Sequence, residues 1–278
     1  MIGKICVVTG ASSGIGRVTA LELARKGATV VLIGRSRERT EASRAAIIAQ
    51  SGNQQVECIL ADFSALATVR AAAAELLGRY PRLDVLVNNA GVYAEGGQRS
   101  ADGYELTFAV NHLAPFLLTN LLLDALKAAG AARVVSVSSV AHTSARGAFD
   151  ERVGLTSGGF WAYGESKLAN ILFTYELARR LEGSGVTANC LHPGVVRTNL
   201  AVGSKGLFTF FFGLMRPLMI SPEQGAQTSI YLASSPEVAG VSGSYFTNCQ
   251  AHASSPVSHD RALQARLWAL SERLVAGR

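Results

Sequence analysis

The chain has 278 residues, 49% of them hydrophobic and 17% charged, which is enough to bury a sizeable core and is unlike a disordered or fibrous composition. Its formal net charge is +6, but the arginines are scattered and no aromatic-interleaved basic patch or nucleic-acid motif appears. That argues against a nucleic-acid partner and assigns the excess charge to solvated surface and a cofactor phosphate site.

In chain order, strands are expected near 4–9, 28–33, 55–60, 83–87, 132–138, 186–192 and 243–246, with helices between them and no repeat or linker. This alternation predicts an α/β fold, a single Rossmann-type doubly wound parallel sheet with helices on both faces, spanning 1–278 as one domain. Ligands in such folds gather outside the carboxyl ends of the strands. The first strand, in KICVVTG, stops at a glycine, and ASSGIGRVTALELARKG follows with helical periodicity. Gly10, Gly14 and Gly16 therefore read as a turn that lets the backbone approach a pyrophosphate, with the N–H groups of the next helix facing the phosphates. A flexible loop would carry the same glycines, and the strand before and helix after are what favour a nucleotide.

The end of the second strand, VVLIGRSRER, bears on cofactor choice, because an NAD site places a carboxylate there for the ribose 2′-hydroxyl. Here the position is Gly34 and the next residue is Arg35, whose guanidinium suits the 2′-phosphate of NADP(H). Arg37 and Arg39 read as the solvated start of a helix. Further on, Tyr163 and Lys167 in YGESK are spaced to share one helix face. A fixed positive charge favours a phenolate, so Tyr163 is expected to exchange a proton near neutral pH, although such pairs also occur on solvated helices. In RVVSVSS, alternation lets only one of Ser138 and Ser139 face a cleft.

The four cysteines, Cys6, Cys58, Cys190 and Cys249, show no CxxC spacing, and the first three lie in apolar runs, which fits a reducing cytoplasm. The five histidines form no metal-ligand spacing, so no metal is expected; His142 and His192 border the presumed cleft by position. Met1 runs directly into the first strand, leaving no room for a leader or anchor. The apolar stretch GLFTFFFGLMRPLMI at 206–220 is too short, and too interrupted by Arg216 and Pro217, to span a bilayer.

TGASSGIG at 9–16, NNAG at 88–91, Asn111, Ser139, YGESK at 163–167 and PG at 193–194 stand in the order and spacing of the short-chain dehydrogenase/reductases, a family the chain resembles over nearly its whole length. The phrases VNHLAPFLLTNLLL, VVSVSSVAH, SKLANILFTYELARRL and SPEQGAQTSIYLA resemble its retinol dehydrogenase and WW-domain oxidoreductase branch. The resemblance implies hydride transfer between a nicotinamide and the carbonyl or alcohol carbon of an apolar substrate. Ser139 would hydrogen-bond the carbonyl oxygen and Tyr163 would protonate it. Lys167 would lower the phenol's pKa while binding the nicotinamide ribose, and Asn111 would complete a water-linked relay.

The same resemblance implies NADP(H) contacts at Gly10, Ser12, Ser13, Gly14, Ile15, Gly16, Arg35, Asp62, Phe63, Asn89, Ala90, Gly91, Tyr163, Lys167, Pro193, Gly194, Val196 and Thr198. Asp62 would meet the adenine amino group, a role compatible with capping the helix after strand three, and Val196 and Thr198 would hold the carboxamide. A substrate lid is expected near 199–220, and Phe208, Phe210, Phe211 and Phe212 suit a bulky apolar retinoid, steroid, polycyclic or lipid-like substrate. A contact helix in a homo-oligomer and peripheral membrane contact are the other readings of that stretch. Two further classes stay open: a light-dependent, protochlorophyllide-type reductase, and a non-catalytic NADP(H)-binding sensor or scaffold.

Overall fold

The structure, a computed structural model, describes residues 1–95, 97–150, 158–196 and 219–276. Its strands are β1 (Ile5–Thr9), β2 (Thr29–Gly34), β3 (Val56–Leu60), β4 (Val85–Asn88), β5 (Arg133–Val137), β6 (Thr187–His192), β7 (Tyr245–Thr247) and β8 (Gln250–His252). They form one sheet in the order β3-β2-β1-β4-β5-β6-β7-β8, parallel throughout except for the antiparallel pair β7–β8. The order reverses between β1 and β4, so the crossovers run to opposite sides there and open a crevice at the carboxyl ends of these two strands.

The strands read as unbroken apolar runs because both faces are covered. Alternate residues feed two separate cores. Val7, Val31, Leu86 and Val134 point to one, and Cys6, Val8, Val30, Leu32, Val87 and Val135 to the other. Helices α1 (Gly14–Arg25), α2 (Arg37–Ser51) and a later helix, Pro222–Ser234, cover the second core. On the first core lie α3 (Leu66–Arg79), α4 (Ala114–Leu121), α5 (Leu123–Lys127), α6 (Gly159–Arg180) and, at the end of the chain, Arg261–Ala276. In chain order Pro222–Ser234 is α7 and Arg261–Ala276 is α8.

All seven expected strands are present with ends shifted by at most two residues, and β8 is the addition. Its three side chains are exposed, so it carries no apolar alternation, and its hairpin turns through Asn248 and Cys249, both at positive φ (48° and 61°). A second unforeseen feature is a π turn at Ala109–Leu113 leading into α4. It carries the buried Asn111, and such irregularities are often found at functional sites.

At the opposite, amino ends of the strands, buried Asp84 ties β1 to the segment entering β4. Its carboxylate accepts from Lys4 Nζ (2.8 Å) and from the backbone N–H of Ile5 (2.9 Å). Asp84→Ala strands the Ile5 N–H and should destabilise the fold by about 1–3 kcal/mol. A urea-denaturation midpoint equal to that of the unmodified chain would contradict this.

Candidate active site

The crevice is a cleft of about 600 Å³, a size suited to a dinucleotide-class ligand. Gly10, Ser12, Ser13, Gly14, Ile15 and Gly16 form one wall at the start of α1. Ser13 makes no side-chain cap and the first turn of α1 has no acidic residue, which leaves its N–H groups and positive dipole end available to an anion. Gly10 and Gly14 adopt positive φ (66° and 55°). The space a Cβ would need at Gly10 and Gly16 is taken by the chain itself. A Cβ at Gly10 would stand 2.8 Å from Ala90 Cα, and one at Gly16 would stand 2.4 Å from Asn89 Nδ2. Asn89 Nδ2 donates to the Thr9 carbonyl (2.8 Å), and Thr9 Oγ1 accepts from the backbone of Asn89 and Ala90, so NNAG and the glycine turn are one hydrogen-bonded unit.

The far end of the cleft is lined by Gly34, Arg35, Arg39, Asp62 and Phe63. A Cβ at Gly34 would lie 2.2 Å from Oγ1 of buried Thr40, which itself donates to the Ser36 carbonyl (2.7 Å). No carboxylate side chain fits there. Arg39 is exposed, as the solvated start of a helix should be, and at the same time lines the cleft beside Arg35. Asp62 is not the cap of α3. Its Oδ1 accepts from the N–H (2.9 Å) and Oγ (2.7 Å) of Ser64, a local Asx turn, while Asp102 takes the N–H of Leu66.

The remaining wall of the cleft holds Ala90, Gly91, Ser139, Tyr163, Lys167, Pro193, Gly194 and Val196. Thr198 and the stretch bearing Phe208, Phe210, Phe211 and Phe212 lie outside the described residues. Strand alternation separates the two serines as their spacing requires: Ser138 turns its hydroxyl away to donate to the Lys167 carbonyl (2.7 Å), and Ser139 lines the cleft together with Tyr163. Lys167 donates to the Val137 carbonyl (3.1 Å) and stands 5.6 Å from the Tyr163 ring centroid. Asn111 is fully buried behind this wall, accepting from the N–H of Val92 (2.8 Å) and donating to its carbonyl (3.0 Å) and to Ser166 Oγ (3.0 Å). A Cβ on Gly91 would lie 3.4 Å from both Asn111 Oδ1 and Lys167 Nζ, so a bare backbone separates the two groups.

The charge balance differs from the simple expectation that Lys167 makes the phenol acidic. Burial pushes the Tyr163 phenol up to about 12, opposed by the nearby Ser139 hydroxyl, and pushes Lys167 down to about 8. Both shifts come from desolvation of the charged form, which favours the neutral phenol over the phenolate at Tyr163. His192 also lines the cleft, held down at about 4 by burial and by neighbouring His142, and its Nδ1 accepts from the N–H of Val140 (3.2 Å).

Sequence reasoning missed the apolar side of the cleft. Val140, Phe160 and Val195 line it and are a little under half exposed, with Leu106, Val110 and Tyr93 deeper in. Exposed Trp161 packs edge-on to Phe160. Single apolar residues next to loops carry no periodic signal, and only the fold gathers them. Among the described residues, no three His, Cys, Asp or Glu side chains form a metal-holding group, and no helix is long and apolar enough to cross a membrane.

The sequence profile described as short chain dehydrogenase matches residues 4–205. Human retinol dehydrogenase 13 is 45% identical over 281 residues, covering 98% of this chain and 85% of that protein. Human retinol dehydrogenase 14 is also 45% identical, covering 99% and 87% respectively. Among solved structures, an uncharacterised protein from Mycobacterium paratuberculosis superposes with a TM-score of 0.79 at 35% identity, covering 99% of this chain and 94% of that one. The Pseudomonas aeruginosa RhlG/NADP active-site complex gives 0.69 at 27% identity, covering 88% and 94%.

The buried ammonium gives a stability prediction. In the unfolded chain Lys167 keeps its proton to about 10.5, whereas in the folded chain it gives it up near 8. Between these values the unfolded state binds more protons, so this group's contribution to stability rises with pH, and its penalty is fully present below about 8. Lys167→Met should therefore raise the Tm at pH 7, and the gain should shrink through pH 8–10.5. A lower Tm at pH 7, or a gain independent of pH, would refute this.

Proposed function

Because the chain belongs to the short-chain dehydrogenase family of oxidoreductases, related to the retinol dehydrogenases, we propose that it is an NADP(H)-dependent enzyme acting on the carbonyl or alcohol carbon of a bulky apolar substrate. The single observation that carries the reading is the convergence of Ser139, Tyr163 and Lys167 on one cleft, with burial favouring the neutral phenol. A bound nicotinamide dinucleotide supplies the hydride.

The residues do the rest. The N–H groups at the start of α1 hold the pyrophosphate, Asp62 and Phe63 flank the adenine, and Arg35 with Arg39 pairs the 2′-phosphate. The closed space at Gly34 supports NADP(H) over NAD(H), since no carboxylate can be built where the 2′-hydroxyl acceptor would stand. Ser139 and Tyr163 grip the substrate oxygen, and Tyr163 delivers its proton as negative charge develops there. Lys167 holds a ribose hydroxyl and stabilises the phenolate left behind, and Asn111 keeps Val92 and the neighbouring backbone in place. Pro193, Gly194, Val196 and Thr198 position the carboxamide.

Val140, Phe160 and Val195 at the mouth support a bulky apolar carbonyl, aldehyde or alcohol of retinoid, steroid, polycyclic or lipid-like kind, and the names of the retinol dehydrogenase relatives point the same way. An intact catalytic set weighs against a non-catalytic scaffold. All four thiols are free, which supports residence in a reducing compartment such as the cytoplasm.

Tyr163→Phe deletes one proton donor and keeps the ring. Turnover in NADPH-dependent reduction of an apolar aldehyde should fall by about 10²–10⁴-fold with NADPH affinity unchanged. Retention of a tenth or more of the activity would sink the assignment. For cofactor choice, kcat/KM is measured with NADPH and with NADH for the unmodified chain and for Arg35→Asp. The substitution should lower the NADPH preference by losing a charge-assisted pair and adding repulsion. An unmodified chain that prefers NADH would show the reading of β2 to be wrong.

A further inference from the structure

The turn that carries Ser139 is anchored from a part of the chain outside the family match at 4–205. His142 follows Ser139 by three residues in the 3-10 turn Val140–Ser144 and is buried. Its Nδ1 lies 2.7 Å from the Ser139 carbonyl oxygen, and its Nε2 lies 3.1 Å from the backbone nitrogen of Ser255, beyond β8. A backbone N–H can only donate, so Nε2 accepts and the proton sits on Nδ1, which donates to Ser139. This fixes the tautomer. The ring packs 5.2 Å from that of Tyr245 on β7, and burial lowers the pKa of His142, which keeps the ring neutral.

The other hydrogen bonds at the serine are local. Its carbonyl also accepts from the backbone N–H of His142 (3.1 Å), its hydroxyl accepts from the N–H of Ala141 (3.2 Å), and the next residue, Val140, donates to His192. We propose that His142 is a positioning residue: as the Nδ1–H tautomer it joins the carbonyl of Ser139 to the amide of Ser255, so that the segment after β8 helps place the serine hydroxyl against the substrate oxygen. The inference rests on the oxidoreductase reading above. It adds that the C-terminal segment supports chemistry through one imidazole. Small displacements of a group that grips the reacting oxygen are expensive in rate, up to about 10²-fold for 1 Å.

The test uses the full chain, NADPH and all-trans-retinal, with three substitutions. His142→Phe keeps an aromatic ring and removes both nitrogens. His142→Asn keeps a donor near the position of Nδ1. Ser255→Pro removes the donating N–H together with the side-chain hydroxyl, at a residue whose φ of −58° already suits proline, and serves if His142→Phe does not fold; Ser255→Ala, which removes the hydroxyl and keeps the N–H, is its control and should leave kcat unchanged. The expected result is a fall in kcat of about tenfold for His142→Phe and a smaller fall for Ser255→Pro, with NADPH Kd unchanged, and partial recovery of kcat in His142→Asn. Hydrogen exchange of the peptide covering 139–145 should quicken in both His142→Phe and Ser255→Pro.

Folded variants with full kcat and unchanged exchange would overturn the proposal. So would equal losses of kcat and NADPH affinity with no recovery in His142→Asn, which would mean a general structural role. Absence of turnover with every carbonyl in the unmodified chain would strike the oxidoreductase reading instead, and the exchange measurement would still decide whether His142 links the two segments.

Discussion

The ammonium of Lys167 is buried in the wall of the cleft, one helical turn from a buried phenol, with the Val137 carbonyl as its acceptor. Removing an ion from water is unfavourable unless it is paired, and no carboxylate pairs with this one among the described residues. The arrangement is possible because α6 is locked to the end of β5 at several points. Ser138 accepts no share of the chemistry and instead clasps the Lys167 carbonyl, while Asn170 Nδ2 reaches the same Val137 oxygen at 3.2 Å. The helix thus holds Tyr163 and Lys167 rigidly against Ser139. Their altered proton affinities follow from that enclosure more than from their mutual attraction.

The cofactor side of the cleft is organised by a different constraint, the close approach of β1 and β4 where the strand order reverses. Asn89 and Ala90 occupy the room that side chains at Gly10 and Gly16 would need, and Thr9 bonds to both. Glycine is therefore demanded by the packing of the two strand ends. The same contact aims the start of α1 at the cleft, so the requirement for glycine and the capacity to bind phosphate arise from one geometry. On the next strand out, Thr40 closes the space beside Gly34 and leaves the two arginines as the charged groups near that end of the cleft along with Asp62.

Much of this is legible in the chain itself. Strand and helix alternation fixes the α/β class, and the motifs fall at strand ends because an open parallel sheet gathers its ligands there. The separate fates of Ser138 and Ser139 follow from the period of two. Less was legible where tertiary contacts override local pattern. Strand β8 has exposed side chains and a turn through Cys249, a residue that does not advertise positive φ. Arg39 is solvent-facing as its place at the start of α2 suggests, but that it also borders the cleft beside Arg35 is visible only in the fold. The phenol's proton affinity depends on burial, which no i, i+4 spacing reports. His142 joins Ser139 to Ser255 across more than a hundred residues of sequence, and nothing local announces that pairing.

The central claim is that this cleft transfers a hydride from NADPH to an apolar carbonyl carbon while the protein supplies the proton. Isotope tracing tests it most directly: the protein is incubated with all-trans-retinal and NADPH carrying deuterium at C4 of the nicotinamide, separately on each face, and the alcohol is analysed by mass spectrometry. The account predicts one deuterium on the carbinol carbon from one labelled face and none from the other. Alcohol formed without label from either face, or with label from both equally, would contradict a direct transfer in an oriented site.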